Sequence, residues 1–306
     1  MKATDLVKIG ESIRYYRKFR KLTQKELAED ICTQAQISKM EKGEVLPLSS
    51  TLFLISIKLG IKVNDLFYES AYTRYDYMKT LTRVVRTKIT NHEYADVLQI
   101  IDLEKDNYFN STEMTQFILW HKGICIAHVH KDYQHSIDLL KESLSMTNKK
   151  NGFCSERELE IINSLAIVYD LSGNSKEAHK YYKRALKDST ILPSLDPNIK
   201  ARMLYGLAKI EKSLGNLEKS IEVSEEGRLF CINNGLLYLL GEFLYQKGYC
   251  MILLEEKTGD EYVNLAIMIF KLQGNYHLAE LAERNLNEAL QKVEHKKEKG
   301  LNKRLS

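Results

Sequence analysis

Proline and glycine are scarce in this chain, with 3 and 15 copies among 306 residues. A β-fold with many turns depends on both residue types, whereas a chain rich in Leu, Lys, Glu, Ile and Tyr favours helices. The hydrophobic fraction of 44% excludes a disordered chain. We therefore predict an all-α protein, long enough for two domains or for one small domain followed by a repeat array.

Long apolar runs and paired cysteines are missing as well. No run approaches the roughly 20 apolar residues of a membrane-spanning helix. The first residues, MKATDLVKIGE, are charged where a signal peptide is apolar. Five cysteines are scattered without CxxC spacing, which favours reduced, mostly buried thiols. We expect a cytoplasmic protein with no membrane partner.

Signatures of catalysis and of cofactor binding are also missing. The chain has no Walker A, HExxH or GxSxG motif and no glycine-rich nucleotide loop. The stretch HVHKDYQH comes nearest to a metal site, but His128 and His130 cannot share one helical face. We predict that the protein is not an enzyme and has no catalytic residue, no metal ligand and no cofactor.

Positive charge is present, but it is concentrated at the start of the chain. Residues 1–66 contain 12 Lys and Arg and 8 Asp and Glu. The difference of +4 equals the net charge of the whole chain. The following 240 or so residues are therefore close to neutral. A polyanion is expected to bind the first segment.

Residues 1–66 read as five short helices. The first, IGESIRYYRKFRKL, places Ile9 and Ile13 on one apolar side. Thr23 and Glu26 form the signature of a capping box, and we expect Ser49 or Ser50 to cap the fourth helix. The fifth helix is VNDLFYE. A tight turn between the second and third helices is typical of a helix-turn-helix DNA-binding domain.

The third helix, residues 34–42, carries the predicted contacts to bases. Its apolar positions are Ile37 and Met40, and Gly43 suits the position after its end. We expect major-groove contacts from the exposed polar residues Thr33, Gln34, Gln36, Ser38 and Lys39. We expect phosphate contacts from Arg17, Gln24 and Lys42. The segments LTQKELAEDI and ISKMEKG resemble the lambda-repressor-like (XRE) family, although the turn is shorter than usual at Cys32–Thr33.

Repeats fill most of the remaining chain. Residues 163–186 fit the tetratricopeptide pattern, with small and aromatic residues at Leu165, Ala166, Tyr169, Gly173, Ala178, Tyr182 and Ala185. Weaker copies surround this repeat. We predict about five degenerate helical hairpins stacked as a right-handed superhelix. The predicted divisions are 1–66 for the headpiece, 67–90 for a helical linker, 91–292 for the array and 293–306 for a basic, flexible tail.

The concave side of such an array is built from the first helix of each hairpin. With residues 163–186 as the reference repeat, the residues predicted to point inward include Trp120, Glu160, Asn163, Tyr205, Lys209, Glu242 and Tyr245. Amides can clamp a peptide main chain while aromatic pockets take its side chains. The aromatics could equally pack between hairpins, but a buried amide such as Asn163 is costly without a partner.

A helix-turn-helix followed by tetratricopeptide hairpins resembles the peptide-pheromone-responsive regulators of Gram-positive bacteria, the RRNPP-like quorum-sensing family. The chain is most similar to the PlcR-type activators, through IGESIRYYRKFRKLTQKELAEDIC, KLGIKVNDLFYE, TQFILW, INSLAIVYDLSG, LLGEFLYQKGYC and NYHLAE. We expect a paralogue or another relative of the type protein, and not the type protein itself. The resemblance implies a homodimer that binds a near-palindromic double-stranded DNA operator, and a short signalling peptide in the groove.

The resemblance also implies roles for single residues. The peptide-clamping asparagine of the family corresponds to Asn163, a groove glutamine to Glu242 and a groove tyrosine to Tyr276. A second asparagine of the family corresponds to Tyr205 or Gly206, so that contact is lost or replaced. The lysine pair of the family is matched only loosely, by Arg86 and Lys88. A peptide with a different charge pattern is expected.

Two other classes of function stay open on the sequence. One is an XRE repressor whose helical array serves only for dimerisation or for docking a protein partner. The other is an interaction scaffold without DNA binding, which the charge excess of residues 1–66 disfavours.

Overall fold

Helices are the only regular elements in the part of the chain that the computed structural model describes, namely residues 3–68, 74–103, 112–148 and 153–305. Backbone contacts divide the chain into two units, Met1–Asn91 and His92–Ser306. The predicted linker, of which residues 69–73 lie outside the described part, thus groups with the headpiece. No described helix is both long enough and apolar enough to cross a bilayer.

The first unit contains six described helices. They are α1 Ala3–Phe19, α2 Gln24–Ala28, α3 Gln34–Glu41, α4 Ser49–Leu59, α5 Asp65–Tyr68 and α6 Arg74–Thr90. Its core is formed by apolar side chains spaced three or four apart on α1 to α5, including Ile9, Ile13, Leu27, Ile37, Met40, Ile55 and Leu66. The five helices predicted for residues 1–66 are therefore confirmed, including the inward positions of α1 and α3.

The start of α4 differs from the prediction. Leu48 is the residue that precedes the helix, and its side chain makes no capping hydrogen bond. Ser49 and Ser50 already belong to the first turn, so neither can act as the predicted cap. Pro47, buried next to Leu48, restricts the preceding backbone to extended conformations and sets where the chain can enter the helix.

The second unit is an array of helical hairpins. Its helices are α7 Tyr94–Leu103, α8 Thr112–Val129, α9 Tyr133–Ser145, α10 Glu156–Leu171, α11 Ser175–Ser189, α12 Pro197–Ser213, α13 Leu217–Asn233, α14 Leu240–Leu253, α15 Gly259–Leu272 and α16 Tyr276–Leu305. Four complete hairpins pair α8 with α9, α10 with α11, α12 with α13 and α14 with α15. In its described residues the array thus has four complete hairpins flanked by α7 and α16, close to the five or so that were predicted.

The even-numbered helices α8 to α16, called the A helices here, form the inner layer of the array. Each A helix contacts the next one, α8 to α10, α10 to α12, α12 to α14 and α14 to α16. Pairs of the intervening B helices make no comparable contacts in the described part of the chain. The array therefore curves with its A helices on the concave side, as the repeat pattern predicted.

The turn inside each hairpin needs a left-handed residue two positions after the A helix. Gly173 and Gly215 fill it in the second and third hairpins, with φ of 82° and 84°. Lys131 and Glu255 fill it in the first and fourth, with φ of 55° and 59°. Non-glycine residues are strained in this conformation.

At the carboxyl end of the chain, α16 continues as a helix through Leu305. A flexible tail was predicted for residues 293–306. The backbone described up to residue 305 is helical, and the flexibility of this segment stays a prediction.

Candidate functional site

The two helices α2 and α3 form the helix-turn-helix, and each begins with a capping box. Thr23 and Glu26 exchange the predicted pair of hydrogen bonds at the start of α2. Thr33 and Gln36 repeat the arrangement at α3, where each backbone N–H is bonded by the other residue's side chain. The turn between the helices passes through Asp30 in the left-handed region, with φ of 63°. Asp tolerates this conformation better than most residues, so the short turn closes without glycine.

A chain of side-chain hydrogen bonds fixes α3 on the headpiece. The Gln34 amide donates to Gln24 Oε1 at 2.8 Å, and the Gln24 amide donates to Glu41 Oε2 at 2.9 Å. Arg17 then donates to both Glu41 oxygens, at 2.5 and 3.0 Å, and to the Leu22 carbonyl at 2.7 Å. Four residues from α1, α2 and α3 thus set the position of the amino end of α3.

The structure gives Arg17 a different role from the predicted phosphate contact. Its side chain is 11% exposed and that of Glu41 is 3% exposed. All three guanidinium nitrogens are bonded within the protein. Hydrogen bonding to Glu41 raises the pKa of Arg17. A buried charge pair with full hydrogen bonding holds the fold together and is not available to an exposed phosphate.

The other predicted DNA contacts lie on the surface of the headpiece. Thr33, Gln34, Gln36, Lys39 and Lys42 are exposed, whereas Gln24 and Ser38 are half-buried. Thr33 and Gln36 also serve as caps, so only part of their hydrogen-bonding capacity remains for a ligand. Their contacts to bases stay predictions, as do those of Gln34, Ser38 and Lys39.

A second candidate surface is the inner face, meaning the A-helix side chains that meet across neighbouring hairpins. Arg202 on α12 pairs with Glu160 on α10 at 3.0 Å. Lys212 on α12 lies over the ring of Tyr249 on α14, 5.2 Å from its centroid. Asn285 on α16 donates to the hydroxyl of Tyr245 on α14 at 2.8 Å. These contacts place polar and aromatic side chains between successive A helices from α10 to α16.

Two side chains on this inner face hold a buried polar atom without a partner. Three such atoms occur in the described part of the chain, namely Asn163 Oδ1, Ser224 Oγ and Glu242 Oε2. Asn163 is 8% exposed. Burial raises the pKa of the Glu242 carboxyl. A buried polar group without a partner is costly, so both sites suit a ligand that supplies one.

Tyr205 lies beside these groups on α12. Its ring packs edge-on against Phe243, at 5.7 Å between centroids, and Lys209 lies 5.8 Å from its centroid. Burial and the nearby Glu242 carboxylate raise the pKa of Tyr205. The neighbouring Gly206 faces the other way. A Cβ on it would lie 2.2 Å from the Tyr182 ring, so Tyr205 is the residue that reaches the inner face.

The structure gives Trp120 a packing role in place of the predicted peptide contact. Its indole is 5% exposed and donates to Ser164 Oγ on the next A helix at 2.9 Å. Phe117 packs against it edge-on, with centroids 6.2 Å apart. The repeat pattern predicted the correct side of α8. On that side, however, Trp120 packs against α10 and is buried.

The two remaining predicted groove residues are Lys88 and Tyr276. Lys88 is half-buried on α6, which belongs to the first unit. Tyr276 is the first residue of α16 and is 64% exposed. Their roles in peptide binding stay predictions. Glu160, Asn163, Tyr205, Lys209, Glu242 and Tyr245 are the predicted residues that share the inner face.

The histidine stretch holds no metal-binding group. The His128 ring stacks on Tyr94 with centroids 4.1 Å apart, and the buried His121 ring bonds the Phe117 carbonyl through Nδ1 at 2.7 Å. Among the side chains that the structure describes, no cluster of three His, Cys, Asp or Glu residues could hold a metal ion.

Sequence reasoning missed Glu41 and the second function of Gln36. The Thr33-x-x-Gln36 spacing is itself a capping-box signature, so it could have been found. Nothing local marks Glu41, which reads as one more charged residue of a helix. Its burial depends on α1 and α2, from which Arg17 and Gln24 reach it.

Several solved structures are similar to this fold. Bacillus thuringiensis PlcR in complex with the peptide PapR7 and DNA matches with a TM-score of 0.80 and 24% identity, over 90% of this chain and 99% of that chain. Streptococcus dysgalactiae Rgg2, an SHP pheromone receptor, matches at 0.65 and 16%, over 92% and 99%. ComR from S. thermophilus with DNA and its signalling peptide ComS matches at 0.59 and 18%, over 92% and 99%. No curated protein sequence matches the chain.

Family comparison covers both units. A helix-turn-helix family matches residues 13–66, and the RNPP family C-terminal domain matches residues 84–290. The second match alone spans more than half of the chain. The resemblance drawn from the sequence motifs and the predicted order of a helix-turn-helix and a tetratricopeptide-like array are thereby confirmed. The chain belongs to the RNPP family.

Proposed function

We propose that this protein is a transcription regulator that binds operator DNA through its headpiece and is controlled by a short peptide on the inner face of its helical array. It acts as a homodimer on a near-palindromic site in the bacterial cytoplasm, and activation is the favoured direction of regulation. The proposal assigns the chain a regulatory role and no catalytic one.

Support for the DNA half comes from α3. Its exposed side offers amides and lysines in place of apolar groups, at Gln34, Gln36, Lys39 and Lys42. Gln can pair with adenine through two hydrogen bonds in the major groove, and Lys can reach guanine. The Gln24–Gln34 hydrogen bond fixes the first of these amides before DNA arrives, which lowers the entropy lost on binding.

The peptide half depends on one observation, the buried and unpartnered Asn163 Oδ1. An asparagine oxygen accepts from a backbone N–H, so an extended peptide in the groove can supply the missing donor. The aromatic groups Tyr205, Tyr245 and Tyr249 on the neighbouring A helices are suited to the peptide's side chains. The similar structures with PapR7 and ComS contain peptides, which agrees with this role.

Control by a peptide requires that it bind one arrangement of the protein better than another. A ligand with no such difference in affinity shifts no equilibrium. A palindrome needs two headpieces roughly one helical turn of DNA apart. A peptide that favours the dimer geometry with this spacing therefore raises operator affinity.

Binding-site selection on the purified full-length protein tests the DNA half. We expect a palindromic consensus, which Gln34→Ala loses while salt-dependent, non-specific binding persists. Gln134→Ala changes the same residue type on α9 and is expected to select the wild-type consensus. Selection of the wild-type consensus by Gln34→Ala contradicts the assignment of α3 as the recognition helix.

A thermal-shift assay with synthetic peptides encoded near the gene tests the peptide half. Ligand at about 100 times its Kd adds about 2.7 kcal/mol to stability, so the expected shift is readily measured. Asn163→Ala is expected to abolish the shift, and Asn264→Ala, on the outer helix α15, to retain it. If the array only mediates dimerisation or partner docking, as in the alternative XRE repressor, no peptide shifts the wild type.

A further inference from the structure

Glu242 is an inner-face carboxylate that forms no ion pair with a described cation. It begins a stripe on α14 that continues with Tyr245 and Tyr249, three and seven residues later, and these tyrosines meet α16 and α12. Its Oε2 is buried and without a hydrogen-bond partner. Burial and, to a smaller extent, the Glu242 carboxylate raise the pKa values of Tyr205 on α12 and Cys231 on α13, so this carboxylate lies near both side chains.

Three described cations of the inner face contact groups other than the Glu242 carboxylate. Arg202 pairs with Glu160 at 3.0 Å, so that carboxylate is neutralised within the protein. Lys209 lies 5.8 Å from the ring centroid of Tyr205, and Lys212 lies 5.2 Å from that of Tyr249. Glu242 has no ion pair with any described side chain. Of these two inner-face carboxylates, Glu160 is therefore paired with a cation and Glu242 is not.

An unmatched buried carboxylate favours ligands of one charge. Burial raises the pKa of Glu242, which means that the surrounding protein penalises its ionised form. A cation placed beside Oε2 removes that penalty and gains a charge-assisted hydrogen bond. A peptide with a neutral or acidic group at this place leaves the buried oxygen unpaired or meets repulsion.

We infer that Glu242 determines peptide specificity by selecting a cationic group, either a Lys or Arg side chain or the free amino terminus of the peptide. This inference depends on the proposed peptide-binding function and adds a chemical requirement to it. Asn163 holds the main chain of any suitable peptide, whereas Glu242 distinguishes among peptides by charge.

A heptapeptide library captured on the full-length protein tests the inference. One copy of the library has free amino termini and a second copy is acetylated. Wild type, Glu242→Gln, Asn163→Ala and Glu222→Gln are compared, and bound peptides are identified by mass spectrometry. Glu222 lies exposed on the B helix α13, so Glu222→Gln makes the same chemical change away from the inner face.

We expect the wild type and Glu222→Gln to enrich cationic peptides about tenfold over the input, since a hydrogen bond to a charged group contributes at least that factor. Glu242→Gln should still capture peptides but without this preference. Loss of the preference on acetylation identifies the amino terminus as the cation, and its survival identifies a side chain.

Two failures have different meanings. If the wild type and Glu242→Gln capture peptides of the same charge, Glu242 does not select cations, although the groove binds peptide. If the wild type captures no peptide above the level of Asn163→Ala, the proposed function fails and this inference fails with it. The thermal unfolding of each variant, followed by Trp120 fluorescence, establishes that the array is folded.

Discussion

Arg17 and Glu41, 24 residues apart in sequence, form a two-pronged ion pair of 2.5 and 3.0 Å inside the headpiece. The pair joins α1 to the last residue of α3. Gln24 adds a third hydrogen bond to the same carboxylate. The orientation of the helix proposed to read DNA therefore depends on a buried charge that makes no contact with DNA itself.

The first prediction concerns this ion pair. Arg17→Ala leaves the Glu41 carboxylate buried without its cation, which costs about 3 kcal/mol. Amide hydrogen exchange in α1 to α3 should accelerate accordingly, whereas Arg14→Ala, at an exposed position of α1, should exchange like the wild type. If Arg17→Ala leaves the headpiece fully stable but weakens the salt dependence of DNA binding, Arg17 contacts a DNA phosphate and does not stabilise the fold.

The second prediction concerns the turns of the hairpins. Lys131 has the left-handed conformation that Gly173 and Gly215 have in the next two hairpins. Lys131→Gly should therefore stabilise the array by about 1 kcal/mol. Gly173→Ala should destabilise it by a similar amount. Denaturant unfolding followed by the single tryptophan measures both changes, and a destabilised Lys131→Gly variant would contradict the argument.

The third prediction concerns Glu242 and pH. Its folded-state pKa is raised above the usual 4.5, so its ionisation reduces stability as pH rises through the folded-state pKa. Glu242→Gln removes that loss. The melting temperature of the variant relative to wild type should increase as pH rises from 4.5 towards neutrality. A difference that is constant across this range, or that decreases, contradicts the burial of an unpaired carboxylate.

The fourth prediction concerns a carboxylate with the opposite shift. Hydrogen bonds from Arg228 and Lys247 lower the pKa of Glu225 to about 2. Its stabilisation is present above pH 4.5 and is lost as pH falls toward 2. Glu225→Gln should cost about 2 kcal/mol at neutral pH, because Lys247 is buried. The cost should vanish near pH 2.

Glu222→Gln is the matched control for that change. Glu222 and Lys219 form an exposed ion pair on the same helix. Such pairs contribute about 0.5 kcal/mol or less. The free energy of unfolding, measured for both variants at several pH values, distinguishes the contribution of Glu225 from that of Glu222. Equal costs for both variants would show that the contact between Glu225 and Lys247 is not stabilising.

The sequence predicted the architecture because its signals are local. The boundaries of α2 and α3 follow from Thr23, Gly43 and the spacing of Ile37 and Met40. The hairpin of α10 and α11 was clear because it keeps its glycine and its small residues. The first and fourth hairpins were faint, since Lys131 and Glu255 occupy the position of that glycine.

The site was predicted less completely, because tertiary neighbours decide it. The repeat pattern predicts that Asn163 and Trp120 lie on the same inner side of the array. It could not show that Ser164 bonds the indole and that nothing bonds Asn163 Oδ1. Likewise, the sequence alone predicts a phosphate contact for Arg17, because the burial of Glu41 beside it depends on the tertiary fold.

The central claim is that occupation of the inner face controls the headpiece. Operator affinity of the purified full-length protein, measured with and without a peptide captured by the wild type, tests it most directly. We predict that the peptide changes the operator Kd at least tenfold, in line with typical allosteric coupling of about 1–3 kcal/mol, and that Asn163→Ala removes the change. Equal operator affinity with and without bound peptide would contradict the account.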